Sequence, residues 1–311
     1  MVRPKRFLAV LTVRNEAAFL LDWLAHHRAV GFTDFLVFSN DCQDGTDLML
    51  DRLQDLGWLT HVRNDGPYDK GGIQFTALKM ADRMKQVKKA DWILPLDIDE
   101  YVNIHVGDHT LSALLDALPE ATAITLTWRL FGNADTVRYE DRPVTEVFTR
   151  CAPAVMYWPW RAAMFKTLFR NDGTYAKLGV HRPRNPDRDK LDQARWYDGQ
   201  GRELGDQFKL KRLFNNYGRP NYDLVQLNHY ALGAMESYLL KADRGRAVHS
   251  DVMEMHDGQI PHIELAYAAD LVVVCPATAD LLSSMAQGRA HDALLATLLS
   301  VRAPLVVAPA M

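Results

Sequence analysis

RFLAVLTVRNEAAFLLDWLAHHRAVGFTDFLVFSN, Arg6 to Asn40, decides the fold. Its first part, Arg6 to Val13, is a β-rich apolar run that ends in the polar residues Arg14, Asn15 and Glu16. Phe19, Leu20, Trp23, Leu24 and the His27/Ala29 region then recur at helical spacing, and Gly31 supplies a helix C-terminal glycine. Asp34 to Asn40 is a second buried-type strand. Strand, helix and strand in this order predict a parallel β-α-β unit.

The pattern repeats outward from that unit. DCQDGT is a turn cluster, and Asp47 to Gly57 is an amphipathic helix. LTHVRN is a third strand, GIQFTALKMADRMKQVKKA a third helix and WILPLDIDEYV a fourth strand. The expected class is therefore α/β, with a mostly parallel central sheet and flanking helices. Ligands of such sheets sit beyond the carboxyl ends of the strands. The polar tails RNE, NDCQDGT and DIDE all fall there. Beyond Thr110, LSALLDALP reads as helix, AITLTWRLFGN as strand and GAMESYLLKADRGRA as helix. Residues 131–220 show weak periodicity and read as binding loops.

The fourth strand runs into three carboxylates, Asp97, Asp99 and Glu100. Like charges so close are costly unless a positive charge sits among them. In an extended strand, Asp97 and Asp99 would face one side and could reach one cation. Hard carboxylate oxygens suit Mg²⁺ or Mn²⁺, which bridge protein and phosphate oxygens and stabilise a diphosphate leaving group.

Bulk composition narrows the class. The chain has 311 residues, 48% hydrophobic and 24% charged, as expected of a soluble globular protein of one large or two ordinary domains. A net charge of -3 gives no general attraction to nucleic acid. Cys42, Cys151 and Cys275 form no CxxC pair, which argues against a disulfide framework and fits a reducing, cytoplasmic setting. No stretch approaches the ~20 apolar residues of a membrane span, so no transmembrane segment is expected.

VRNEAAFLLDWLAHHRAVGFTDFLVFSNDCQDGTDLML, LPLDIDEYV, WRLFGN and LNHYALGAMESYLLKADRG together resemble a GT-A-fold glycosyltransferase of the family-2-like group, over about residues 5–250. The resemblance implies a Rossmann-like domain that takes a sugar from a nucleotide-diphosphate sugar, such as a UDP-sugar. The acceptor would be a saccharide or lipid-linked hydroxyl, and the outcome inversion. Thr12, Val13, Arg14, Asn15 and Glu16 would border the nucleotide, and Asn40 and Asp41 its base or ribose. Asp44 would support that loop. Asp97 would bind ribose or metal-associated groups, Asp99 would be the principal metal ligand and Glu100 would stand behind it. His229 would complete the Mn²⁺ or Mg²⁺ site, while Lys241, Arg244 and Arg246 would neutralise diphosphate.

Plainer readings stand beside these. Asn15 and Glu16 could cap the first helix, and Asp44 could be only a turn residue. His229 could be structural, and His181 is a second candidate ligand. Lys241 to Arg246 could be a solvated helix face. Trp158 and Trp160 could stack on a sugar or fill the core. An inverting transferase needs a base at the acceptor hydroxyl. Asp135, Glu140, Asp141 and Glu146 are the candidates, with Asp135 favoured because it follows FGN.

ADLVVVCPATADLLSSMAQG and APLVVAPAM resemble the flavoprotein phosphopantothenoylcysteine decarboxylase, over residues 262–311. The expected organisation is a transferase domain at 1–250, a junction at 251–261 and a partial flavoprotein-like α/β segment at 262–311, a chimeric arrangement. Leu271–Cys275 and Pro304–Ala308 read as strands, with helices at 280–287 and 292–300 between them. Pro276, Ala277, Thr278 and Met311 match positions that line FMN or substrate. The family's phosphate loop and catalytic histidine lie outside the match, so FMN is not expected to bind. An FMN-binding decarboxylase fragment and a nucleotide-binding pseudo-enzyme are the alternative functions.

Overall fold

The computed structural model describes residues 3–68, 70–157, 160–216, 218–238, 272–277 and 305–309. The chain divides into two units, Met1–Ser237 and Tyr238–Met311. The expected α/β class is met in the first. It opens with β1 (Phe7–Val13), α1 (Ala17–Val30), β2 (Asp34–Ser39), α2 (Thr46–Asp55) and β3 (Thr60–Arg63). Next come α3 (Gly72–Ala81), α4 (Lys85–Lys89), β4 (Trp92–Leu96), β5 (Glu100–Ile104), α5 (Leu111–Ala117) and β6 (Ala123–Leu130).

β4, β1, β2 and β3 lie side by side and parallel. Their side chains alternate between two cores. Phe7, Ala9, Leu11 and Val13 face a core with Trp23 and Leu24 of α1, while Leu8 and Val10 face one with Ala77 and Leu78 of α3. Cover on both faces explains why β1 reads as an unbroken apolar run. Gly31 ends α1 at φ 108°, a left-handed position suited to glycine, and its N–H donates to the Arg28 carbonyl.

Three expectations change. The fourth strand is two strands, β4 and β5, with Asp97–Asp99 in a turn closed by the Glu100 N–H on the Asp97 carbonyl at 3.1 Å. The same-side argument for Asp97 and Asp99 therefore does not apply, because it required extended backbone. The third helix breaks into α3 and α4, with Met84 extended at ψ 148° between them. The stretch from 131 to 220, read as loops, carries α6 (Val144–Val147), β7 (Phe165–Arg170), β8 (Tyr175–Lys177), β9 (Arg184–Pro186), α7 (Arg188–Leu191), β10 (Trp196–Asp198), β11 (Glu203–Leu204) and α8 (Asp206–Leu210). Apart from β7, whose apolar run is interrupted by Lys166 and Thr167, these elements are too short to leave a periodicity.

β7 runs antiparallel between β4 and β6 and completes the central sheet. β12 (Val225–His229) lies parallel to β6 and antiparallel to β5, with His229 opposite Glu100. In the second unit, β13 (Val272–Ala277) and β14 (Leu305–Pro309) pair in parallel, close to the two strands expected there. The helices expected at 280–287 and 292–300 lie outside the described residues.

Candidate active site

The loops after β1, β2 and β3 are tied into one platform. Asn40 is buried, and its side-chain amide donates to the Val13 carbonyl at 2.8 Å. Its Oδ1 accepts from Asn64 Nδ2 at 2.6 Å, so one residue joins three strand ends. Asn15 sits at φ 54°, and its Oδ1 accepts from the Gln43 N–H. Asp44 accepts from the first N–H of both α1 and α2, Ala17 at 3.1 Å and Thr46 at 2.9 Å. The Thr46 hydroxyl also donates to Asp44 and accepts from the Glu16 N–H. Glu16 occupies the N-cap position of α1 without a side-chain cap, so the cap comes from Asp44 of the next loop. Asp41 is exposed at φ 44°; its N–H donates to Asp65 and its carboxylate accepts from the Tyr68 hydroxyl. Partial burial, with Asp41 beside it, pushes Tyr68 up to about 12, and Arg14 opposes the rise.

The acid turn adjoins this platform. Thr12, Gln74, Asp97, Lys166 and Val180 line one small cleft. The Trp23 indole N–H of α1 reaches the Asp97 and Glu100 carbonyls at 3.2 and 3.0 Å and fixes the turn's backbone. Asp97 Oδ1 accepts from Gln74 Nε2 at 2.8 Å, and Oδ2 from Lys166 Nζ at 2.9 Å. Glu100 is fully buried: Oε2 accepts from the Asp97 N–H at 2.9 Å, and Oε1 from the Trp128 indole at 2.6 Å. The Lys166 side chain, 1% exposed, stands 3.5 Å from Glu100 Oε2.

The positive charge among the acids is thus a lysine that sequence reading missed. Burial pushes Glu100 up to about 8, although Lys166 pulls it down. Burial also opposes the charge on Lys166, but Asp97 and Glu100 outweigh it and raise its pKa. The two directions agree on a protonated lysine whose nearest partner is Asp97.

Asp99 faces His229, with Oδ1 3.7 Å from Nε2, and the Tyr230 N–H donates to the Asp99 carbonyl. The His229 ring packs on Trp128 with centroids 4.3 Å apart. His181 lies against Trp128 at 5.7 Å, and its Nδ1 meets the Phe165 carbonyl at 3.0 Å. Burial first, and then Lys166, lower its pKa, so its imidazole is neutral near pH 7.

The structure brings Asp97, Asp99, Glu100 and His229 together, with Thr12 and Gln74 beside them. Val13 is buried, and Arg14 is exposed at the platform's edge. Asp135 is exposed at φ 64° in the loop after β6, Glu140 and Asp141 are exposed further along it, and Glu146 is exposed in α6. Asp22 of α1 anchors that loop by accepting from the Val144 N–H and the Tyr101 hydroxyl. Lys241, Arg244, Arg246 and Trp158, and the side chain of Trp160, lie outside the described residues, as do Thr278 and Met311.

Among the described residues, no group of three or more His, Cys, Asp or Glu side chains is placed to hold a metal. A carboxylate and an imidazole, Asp99 and His229, do meet at one point. That donor pair fits a divalent cation whose remaining ligands are phosphate oxygens and water. Also among the described residues, no helix is long and apolar enough to cross a membrane.

Residues 9–203 match glycosyltransferase family 92, and residues 224–311 match the Flavoprotein family. The C-terminal part is similar to the coenzyme A biosynthesis bifunctional protein CoaBC of Mycobacterium tuberculosis, 62% identical over 52 residues, covering 17% of this chain and 12% of that protein. The Mycolicibacterium smegmatis CoaBC is 45% identical over 82 residues, covering 26% of this chain and 19% of that protein. The chain thus spans about an eighth to a fifth of these relatives' length. Among solved structures, S. aureus TarS 1–349 in complex with UDP is 16% identical, with TM-score 0.31, over 43% of this chain and 38% of that one. Glucosyl-3-phosphoglycerate synthase of Mycobacterium tuberculosis with Mn²⁺, UDP and glucosyl-3-phosphoglycerate is 16% identical, with TM-score 0.29, over 40% and 44%. The expected glycosyltransferase resemblance is met, in family 92, and with a match over more than half its length the chain belongs to glycosyltransferase family 92.

Proposed function

We propose that this glycosyltransferase moves a sugar from a nucleotide-diphosphate sugar, a UDP-sugar, to an acceptor hydroxyl with inversion. One observation carries the reading. In a family-92 chain, an acid turn and a histidine from 129 residues later in sequence (100 to 229) converge at the carboxyl ends of parallel strands. Asp99 and His229 would hold Mn²⁺ or Mg²⁺, which would supply Lewis-acid stabilisation of the diphosphate leaving group. Thr12 to Glu16 and Asp41 border the nucleotide, and Asn40 and Asp44 hold those loops in place. Asp97, fixed between Gln74 and Lys166, offers a preoriented carboxylate at the cleft.

Asp135 takes the proton of the attacking acceptor hydroxyl on its carboxylate oxygen. Its loop leaves the sheet beside the site, where the Phe131 N–H donates to the His229 carbonyl at 3.0 Å. The acceptor is a saccharide or lipid-linked alcohol, the setting is cytoplasmic, and the transferase domain takes in residues 1–250. The flavoprotein-like segment binds no FMN.

A thermal melt of the full chain with UDP, with and without Mn²⁺, tests the reading. Ligand at ~100 times its Kd stabilises by about 2.7 kcal/mol. A Mn²⁺-dependent rise is expected in wild type and should vanish in Asp99→Ala. An equal rise in Asp99→Ala would remove the metal site from the acid turn.

A further inference from the structure

Lys166 has no role in any of this chemistry so far. Its ammonium is buried, a placement that costs several kcal/mol unless partners satisfy it. Its ion-pair partners are Asp97 and Glu100, on the turn that carries the proposed metal ligand Asp99. The turn therefore does not present three equivalent carboxylates. Glu100 is sealed from solvent, with both oxygens occupied. Asp97 remains 30% exposed, but Gln74 holds one oxygen and Lys166 the other. Asp99 faces His229, and its charge bears on Lys166 less than those of Asp97 and Glu100 do.

We propose that Lys166 is a positioning residue that holds Asp97 off the cation and fixes it for the nucleotide, so that the turn offers the metal one carboxylate rather than two. The inference rests on the metal-dependent reading above. A cation approaching Asp97 must displace a 2.9 Å charge-assisted contact and leave a buried ammonium short of its nearest counter-charge. An uncharged hydroxyl, such as that of a ribose, needs no such displacement. It can donate to a remaining lone pair of a carboxylate already oriented by two side chains.

The test uses the full chain and two separate readouts. Mn²⁺ binding without nucleotide is followed by the spin-resonance signal of the free ion, and UDP binding at saturating Mn²⁺ by calorimetry. Lys166→Met frees Asp97 to join Asp99 and His229. Mn²⁺ alone should then bind about tenfold more tightly, and UDP about tenfold more weakly. Lys166→Arg, which keeps the charge, should hold Mn²⁺ affinity within about twofold of wild type. Loss of the lysine's charge alone would also tighten Mn²⁺, but that gain would persist in the double variant Lys166→Met/Asp97→Asn, whereas a gain made through Asp97 should disappear there. Should Lys166→Met fail to fold, Asp97→Asn decides: UDP affinity should fall about tenfold while Mn²⁺ affinity stays within about twofold. Wild type that binds neither Mn²⁺ nor UDP overturns the metal reading itself. Wild type that binds both, with Lys166→Met no tighter for Mn²⁺ or with Asp97→Asn about tenfold weaker for it, overturns the role of Lys166 alone.

Discussion

Asp44→Ala probes the platform on which the proposed nucleotide site rests. The Asp44 carboxylate accepts from Ala17 N at 3.1 Å, Thr46 N at 2.9 Å and the Thr46 hydroxyl at 2.6 Å. Two helix N-termini lose a charged cap at once. A cap is worth about 1 kcal/mol, so the expected loss is about 2 kcal/mol. For a unit of this size that corresponds to a fall in Tm of about 4–8 °C. Urea unfolding followed by tryptophan fluorescence measures it. All seven tryptophans precede Ser237, so the signal reports the first unit alone. The pH dependence separates a cap from general damage. Partial burial pushes the Asp44 carboxyl up, but the Thr46 hydroxyl and the Thr46 and Ala17 amides together pull it below the ordinary range. A depressed folded pKa stabilises above the unfolded value, about 3.9, and is lost as pH falls through the folded one. The gap between wild type and variant should stay constant from pH 6 to 8 and close below about pH 4. A gap under ~0.5 kcal/mol at pH 7, or one unchanged at pH 3, refutes the capping argument.

Three further outcomes follow from the same contacts. Trp128→Phe deletes the indole donor to the buried Glu100 Oε1 and should cost about 1–3 kcal/mol in the same urea assay; a loss under ~0.5 kcal/mol would mean that bond is replaced by water. Asn40→Ala leaves the Asn64 amide without its Asn40 partner and removes one of two donors to the Val13 carbonyl, for an expected loss of about 2–3 kcal/mol; a neutral result would show that the three strand ends do not depend on the tie. Asp22→Ala releases the Val144 N–H and the Tyr101 hydroxyl, and should speed proteolytic cutting within residues 131–148 several-fold at unchanged protease concentration; identical cutting patterns would place the loop's anchor elsewhere.

The parallel half of the sheet was legible because its physics is local. β1, β2 and β4 are covered on both faces, so each is a short apolar run, and Trp23, Leu24 and His27 mark the buried stripe of α1. The acids were legible as a cluster because three carboxylates in four residues call for a counter-charge. The identity of that counter-charge was not legible. In FKTLFR, Lys166 alternates with Phe165 and Thr167, a pattern that fits a lysine facing water as well as one facing Asp97. Its partner lies 69 residues earlier in the chain, and periodicity carries no information across that distance. The short strands between 175 and 204 were missed for a related reason, since pairs of two or three residues are fixed by their neighbours rather than by their own pattern.

The direction of β7 supplies the missing link. Its ladder with β4 sets Trp92 against Arg170 and Ile93 against Phe169. Continued in antiparallel register, Lys166 falls level with Leu96, at the lip of the acid turn. A parallel strand in that slot would bring its last residues to the lip and its first residues to the far end of the sheet. Antiparallel insertion instead delivers the start of β7, and with it the lysine, to the carboxyl ends where the acids collect. β12 does the complementary work. It runs antiparallel to β5, so His229, its last residue, stands opposite Glu100, the first residue of β5. Two late strands thus bring one fixed positive charge and one imidazole to different carboxylates of a turn that the early strands built. On this account the local sequence around Asp97 creates the electrostatic demand, and the topology of the later chain decides which carboxylate is left to meet a cation.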